Sequence, residues 1–154
     1  MRLRVEISPE TAEEEVVIRC RERDARTVSL ERAVESIIGC STDMMLTLGD
    51  TEYYIPKKEL LFFETYDGKV TAHTADRMLY TSYKLFELES IMPKSFVRVS
   101  KSCIVNIDAI GAIAKNLTGA SRVMFRGTEK AVYVSRSYYK VLKEKIEALR
   151  FFAE

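Results

Sequence analysis

Two short runs in this 154-residue sequence combine cations and hydroxyl groups, the donors that phosphate oxygens and base edges accept from. The first run, Ser100-Lys101-Ser102, follows Arg98 and lies between two apolar stretches. The second run, Ser135-Arg136-Ser137, opens a stretch with helical spacing and leads into Tyr138 and Tyr139. Lysine, arginine and hydroxyl side chains all donate to anionic oxygens, so both runs are candidate contacts to a polyanion.

The second run has an unusual charge for its place. Ser135 is the predicted N-cap of the last helix, and helix N-termini expose unpaired N–H groups that favour an anion. Arg136 in the first turn opposes the helix dipole, which a bound ligand explains more readily than stability does. The alternative is a solvated arginine beside an ordinary capping serine.

The charge of the chain is distributed unevenly. The whole sequence has 24 Lys and Arg against 23 Asp and Glu, a net charge of +1. Residues 94–145 alone carry eleven basic and three acidic side chains, a balance of +8, while the rest is acidic. Such asymmetry is typical of proteins that bind a polyanion, above all nucleic acid. Chance clustering on a solvated surface is the alternative.

Composition argues against catalysis. His73 is the single histidine, so a catalytic triad or a histidine-rich metal site would have to include it, and we expect it to be structural. No nucleophile–base set, paired carboxylates or metal-ligand spacing appears, so we predict no enzymatic activity, no cofactor and no metal. The three cysteines are widely spaced, and Cys103 is expected in the core. No leader or membrane span is apparent, which predicts a cytoplasmic protein.

The elements that must position these runs are mostly short antiparallel strands, so the predicted fold class is mainly β, within α+β. Asp67-Gly68 between apolar stretches predicts a type I′ hairpin turn. Helices and strands do not alternate, which argues against a parallel sheet. Strands are predicted over 2–7, 15–21, 44–48, 52–55, 61–66, 69–74, 78–81, 96–99, 103–105, 110–114, 123–125 and 131–134, and helices over 26–38, 83–92 and 136–148.

Burial is predicted from periodicity within these elements. The inward positions of the helix over 83–92 are expected to be Leu85, Leu88, Ile91 and Met92. Several aromatic residues follow or flank the strands and could form a platform for single-stranded nucleic acid, but core packing is favoured. These residues are Tyr53, Tyr54, Tyr80, Tyr83 and Phe86.

Three segments, in order, resemble the LytTR family of bacterial DNA-binding domains. The run Phe96-Val97-Arg98-Val99-Ser100-Lys101-Ser102-Cys103-Ile104-Val105-Asn106 resembles the family signature. Leu61-Phe62-Phe63-Glu64 with the following Asp-Gly-Lys turn resembles an earlier strand pair, and Val132-Tyr133-Val134-Ser135-Arg136 resembles the C-terminal element. The resemblance implies an elongated fold of antiparallel sheets that inserts loops, rather than a recognition helix, into successive major grooves of double-stranded DNA.

Three loops are implied as the DNA contacts: the turn ending at Lys69, the bend at Lys101 and the start of the last helix. Lys101 and Arg136 are suited to guanine acceptors. The better candidates for phosphate contacts are Lys69, Ser102, Ser135 and Tyr138. The candidate DNA-binding residues are Lys69, Arg98, Ser100, Lys101, Ser102, Ser135, Arg136, Tyr138 and Tyr139.

Two regions are predicted, with a boundary near residue 43. Residues 44–149 are the LytTR-like domain, and residues 1–43 are a short segment for dimer formation or regulation. That segment is too short for the phospho-receiver domain that most relatives carry. We therefore expect a homodimeric transcriptional regulator with no small-molecule substrate, and a regulatory protein partner, in solution or in the membrane. The alternative is a protein–protein or RNA-binding adaptor that uses the basic face of residues 94–145.

Overall fold

The computed structural model describes residues 16–22, 24–38 and 43–151, with the side chains of residues 35–38, 150 and 151 excepted. The described helices are α1 (Ala25–Ile38), α2 (Leu85–Ile91) and α3 (Arg136–Phe151). The described strands are β1 (Asp43–Leu48), β2 (Thr51–Pro56), β3 (Phe62–Tyr66), β4 (Lys69–His73), β5 (Met78–Thr81), β6 (Phe96–Ser100), β7 (Cys103–Asn106), β8 (Ile110–Ala114), β9 (Ser121–Phe125) and β10 (Ala131–Val134). Short 3₁₀ turns cover Lys57–Glu59 and Ile107–Ala109.

The strands form two antiparallel sheets, so the predicted mainly β class is confirmed. The larger sheet has the order β2-β1-β5-β4-β3-β7-β6, and the smaller has the order β10-β9-β8. Alternation along β3 explains the layering: Phe62 joins an apolar cluster beneath the smaller sheet and α3, whereas Phe63 joins a second cluster beneath α2. The larger sheet is therefore the middle layer over part of its width.

The turn between β3 and β4 has the predicted type I′ geometry. Asp67 has a φ of 49° and Gly68 a φ of 72°, and both central residues of this turn type need positive φ. The register, with Tyr66 opposite Lys69, is that of a two-residue hairpin. This tight turn fixes Lys69 as the first residue of β4.

The segment before the domain differs from prediction. Residues 16–22 form no strand, so the strand predicted over 15–21 is wrong across the described part. Alternation alone does not make a strand where no neighbouring strand accepts its hydrogen bonds. The following helix is confirmed, and its Arg32 Nη1 donates to the Leu149 carbonyl at 2.8 Å, which joins α1 to the end of α3. The strand predicted over residues 2–7 lies outside the described residues.

Burial on α2 was predicted only in part. Leu85, Leu88 and Met92 are buried as expected, but Ile91 is 45% exposed. The chain leaves the helix at Met92 in an extended conformation, which turns that side chain inward in place of Ile91. Core packing was also wrongly predicted for three aromatic residues, since Tyr54, Tyr83 and Phe86 are exposed.

A polar junction joins the two sheets around His73, which is buried and structural. The ring stacks on Phe62, its Nε2 lies 3.0 Å from Glu64 Oε1, and its Nδ1 lies 3.4 Å from Lys130 Nζ. Lys130 Nζ also donates to the Arg77 carbonyl at 2.6 Å. Burial and the nearby Lys130 ammonium lower the pKa of His73 to about 4, so the ring is neutral at neutral pH. Nε2 then donates to Glu64 while Nδ1 accepts from Lys130.

Candidate nucleic-acid interface

The three sequence-predicted bends lie side by side at one end of the larger sheet. The amide N of Thr65, next to the 67–68 turn, donates to the Ser102 carbonyl at 2.8 Å. The amide N of Ser135, at the start of α3, donates to the Val99 carbonyl at 3.3 Å. Because Ser102 belongs to the β6–β7 connection and Val99 lies at the end of β6 that leads into it, that connection lies between the other two bends.

Arg98 holds the middle bend in shape. Its Nε donates to the Ser100 carbonyl at 2.9 Å, and its Nη2 donates to the Lys101 carbonyl. Its Nη1 forms an ion pair with Glu89 Oε2 of α2 at 3.0 Å. Three of the five guanidinium N–H groups are therefore committed to protein acceptors.

The middle bend presents Lys101 to solvent. The register between β6 and β7 shifts between Arg98 and Ser100, so the strand pairing is irregular just before the connection. The Ser100 hydroxyl accepts from the Ser102 amide at 3.2 Å and lies 3.5 Å from the Ser102 hydroxyl. Lys101 is exposed, and within the described residues its ammonium has no ion pair.

The third bend is the first turn of α3. The Ser135 carbonyl accepts from the amides of Tyr138 at 3.1 Å and Tyr139 at 3.0 Å, as expected of the residue before the helix. The hydroxyls of Ser135 and Ser137 lie 3.2 Å apart. Arg136 is exposed, so the predicted cation at the N-terminus of α3 faces solvent.

The remaining predicted residues have mixed positions. Lys69 is exposed, with its Nζ 5.7 Å from the centre of the Tyr80 ring. Tyr138 and Tyr139 are half-buried and pack against the cluster beneath α3, which leaves only part of each ring accessible. Tyr138 and Tyr139 therefore offer a ligand a smaller fraction of their side chains than Lys69 does.

An open groove of about 770 Å³ connects the first two bends. The predicted residues Lys69, Arg98 and Lys101 line it together with Lys84 and Phe86, which were not predicted as site residues. The spacing held a signal for Phe86, because it lies between the buried Leu85 and Leu88 and so faces away from the sheet. Its exposed fraction of 69% confirms that a ring stands at the rim of the groove.

The described residues hold neither a metal site nor a reactive cysteine next to the bends. No group of three or more His, Cys, Asp or Glu among them could hold a metal ion. Burial raises the pKa of Cys103 to about 12, with the Glu64 carboxylate adding to the effect, so its thiol stays protonated. In this part of the chain no helix is long and apolar enough to cross a membrane.

The comparison with known proteins identifies the domain that carries the three bends. The family model described as the LytTr DNA-binding domain matches residues 50–147. The chain belongs to the LytTR family. The predicted relationship is thereby confirmed, and the match includes the turn at Lys69, the bend at Lys101 and the start of α3.

Two relatives of this LytTR protein carry the same description as each other. Two Staphylococcus aureus proteins, from strains NCTC 8325 and MRSA252, are described as uncharacterized HTH-type transcriptional regulators. They are 29% and 28% identical over 129 residues, which cover 80% of this chain and 87% of each relative. In the described part of this chain a strand separates every pair of successive helices, which is not a helix-turn-helix arrangement.

A solved structure gives the same fold. The LytTr DNA-binding domain of a Bacillus cereus protein described as a methyl-accepting/DNA response regulator superimposes with a TM-score of 0.64 at 25% identity. The superposition covers 68% of this chain and 96% of that domain. The LytTR fold and its DNA-binding character are therefore established for this chain.

Proposed function

We propose that this LytTR protein is a sequence-specific regulator of transcription that inserts the three bends into successive major grooves of double-stranded DNA. The observation that carries the proposal is their arrangement in one row, linked by the Thr65–Ser102 and Ser135–Val99 hydrogen bonds. Loops in a row along a rigid sheet end can follow the duplex surface while the sheet keeps their spacing fixed.

Each bend has a distinct part in this proposal. Arg136 and Lys101 donate to guanine O6 and N7, since both side chains are exposed in their bends. Lys69, Ser102, Ser135 and Tyr138 donate to phosphates, which position the protein without specifying sequence. Arg98 and Ser100 act through the middle bend by fixing its backbone, and Tyr139 packs the first turn of α3.

The proposal extends to assembly and location. Residues 44–149 form the DNA-binding domain, and residues 1–43 serve dimer formation or contact with a regulatory protein partner. A homodimer is favoured because one small domain offers limited contact area to DNA, and two copies reading repeated sites double it. The protein acts in the cytoplasm, without a small-molecule substrate.

The direct test is equilibrium binding of the full chain to duplex DNA over a range of salt concentrations. We expect affinity for promoter-length duplex to fall steeply with salt, with a slope of about 0.9 per phosphate contacted. In competition, unlabelled duplex should displace the labelled duplex far better than single-stranded RNA of the same length. Equal displacement by RNA would contradict the proposal and favour the RNA-binding adaptor. Binding that does not change with salt concentration would show that the protein does not make the proposed contacts to DNA phosphates.

A further inference from the structure

The loop between β8 and β9, residues 115–120, lies at the same end of the molecule as the three bends. Ser121, which follows the loop, pairs with Val134 at the end of β10. Val134 directly precedes Ser135, whose amide is hydrogen-bonded to the Val99 carbonyl. The smaller sheet therefore brings the loop next to the first turn of α3, although the two are distant in sequence.

The loop has a defined shape. Asn116 Oδ1 accepts from the amide of Thr118 at 3.0 Å and from that of Gly119 at 3.2 Å. The Asn116 amide donates to the Ser121 hydroxyl at 3.1 Å, which closes the base of the loop. Leu117 stands at the tip with 78% of its surface exposed, the most exposed large apolar side chain among the described residues.

The surroundings of the loop are positively charged. Lys115 Nζ lies 5.7 Å from the centre of the Tyr139 ring, which holds the ammonium beside the start of α3. Arg122 is exposed on β9 and is paired in register with the exposed Tyr133 of β10. The sequence from residue 109 to residue 128 contains no Asp or Glu. An anionic surface could therefore approach this side without meeting a carboxylate of this segment.

We propose that the 115–120 loop is a fourth contact to the DNA duplex, in which Lys115 and Arg122 bind phosphates flanking the site that the three bends read. This inference rests on the proposed function. The loop lies against the first turn of α3, on the side of β9, whereas the middle bend lies on the side of β6. It therefore extends the row of bends past α3. Charge complementarity selects the phosphate backbone as the ligand, and Leu117 lies against the sugars between the two phosphates.

The test places a charge at the loop tip, where the side chain of Leu117 is mostly exposed and packs little against the core. Leu117→Asp and Leu117→Lys are compared with the full wild-type chain in duplex binding at low salt. The matched control is Lys58→Ala, which lowers the net charge by one unit as Leu117→Asp does. Lys58 is exposed in the Lys57–Glu59 turn that leads into the start of β3, at the other end of the sheet from the 67–68 turn. Each protein is measured on a long duplex and on duplexes trimmed from the flanks.

We expect Leu117→Asp to weaken binding of the long duplex about 5- to 10-fold and Leu117→Lys to strengthen it about 2- to 5-fold. Lys58→Ala should bind like wild type, and all differences should shrink on duplexes trimmed to the part that the three bends cover. If Leu117→Asp and Lys58→Ala bind the long duplex equally while wild type binds normally, the fourth contact is wrong and the proposed function stands. If wild type itself does not bind duplex DNA, the proposed function fails.

Discussion

The guanidinium of Arg98 joins the middle bend to α2, because its Nη1 lies 3.0 Å from Glu89 Oε2 while Nε donates to the Ser100 carbonyl. One side chain thus sets the backbone of the bend and anchors it to α2, which packs on the face of the larger sheet opposite the smaller sheet. The bend is therefore presented in one conformation, which base recognition requires, since a loosely held loop spends binding energy on ordering.

Replacing Arg98 separates positioning from direct contact. Lysine keeps the positive charge but lacks the fork that reaches two carbonyls and a carboxylate at once. We therefore expect the ratio of affinities for preferred and scrambled duplex to fall about 10-fold in Arg98→Lys, nearly as far as in Arg98→Ala. The dependence of affinity on salt concentration should not change. The measurement is affinity for a preferred and a scrambled duplex. Retention of the preference in Arg98→Lys would indicate that Arg98 contacts a phosphate instead.

Glu89→Gln removes the half-exposed ion pair with Arg98. It should change the free energy of unfolding by less than about 1 kcal/mol.

The hairpin turn beside Lys69 depends on a glycine. Gly68 has a φ of 72°, and nothing lies within 4 Å of the position that a Cβ would occupy, so backbone strain alone decides the effect of substitution. Gly68→Ala should lower the free energy of unfolding by about 1 kcal/mol in denaturant titration. Asp67→Asn is the control, because asparagine also favours positive φ and should leave stability within about 0.5 kcal/mol of wild type. Equal stability of Gly68→Ala and wild type would argue against the type I′ turn.

The His73 junction makes stability depend on pH. The pKa of His73 is about 4 in the folded protein and about 6.5 when unfolded, so the unfolded state binds the proton more readily. The stabilisation is complete above pH 6.5 and is lost as pH falls toward 4. We expect about 1–2 kcal/mol to be lost between pH 7 and 5, a value reduced for partial solvent screening.

His73 is the only histidine, so the assignment of this pH dependence is direct. His73→Gln has no group that titrates in the same way, and its stability should change little between pH 7 and 5. The same slope in wild type and His73→Gln would place the titration at another group. Glu64 is not that group, because burial raises its pKa and its titration changes stability with the opposite sign.

Local features of the sequence predicted much of this fold because their causes are local. The Asp67-Gly68 turn follows from the φ preference of two residues, and Asn106 at the end of β7 bonds backbone groups. In the structure Asn106 Nδ2 donates to the Leu60 carbonyl at 2.9 Å, and Oδ1 accepts from the Asp108 amide. The contact with Asp108 is local, whereas the contact with Leu60 joins residues 46 apart in the chain and depends on the fold.

The failures have non-local causes. Whether an alternating stretch becomes a strand depends on a partner, and residues 16–22 pair with no strand among the described residues. Alternation tells which residues share a face but not whether that face is covered, so the exposure of Tyr54 was missed. The place of the 115–120 loop beside α3 follows from the pairing of β9 with β10, which the order of residues along the chain does not reveal.

The most direct test of the central claim is selection of bound fragments from random duplex DNA with wild type, Arg136→Ala and Lys69→Ala. If Arg136 reads bases and Lys69 holds phosphate, wild type should enrich a defined motif and Arg136→Ala should lose preference at one or two positions, about 1–3 kcal/mol each. Lys69→Ala should enrich the same motif as wild type but bind every sequence more weakly. An unchanged motif in Arg136→Ala would contradict base reading by the first turn of α3.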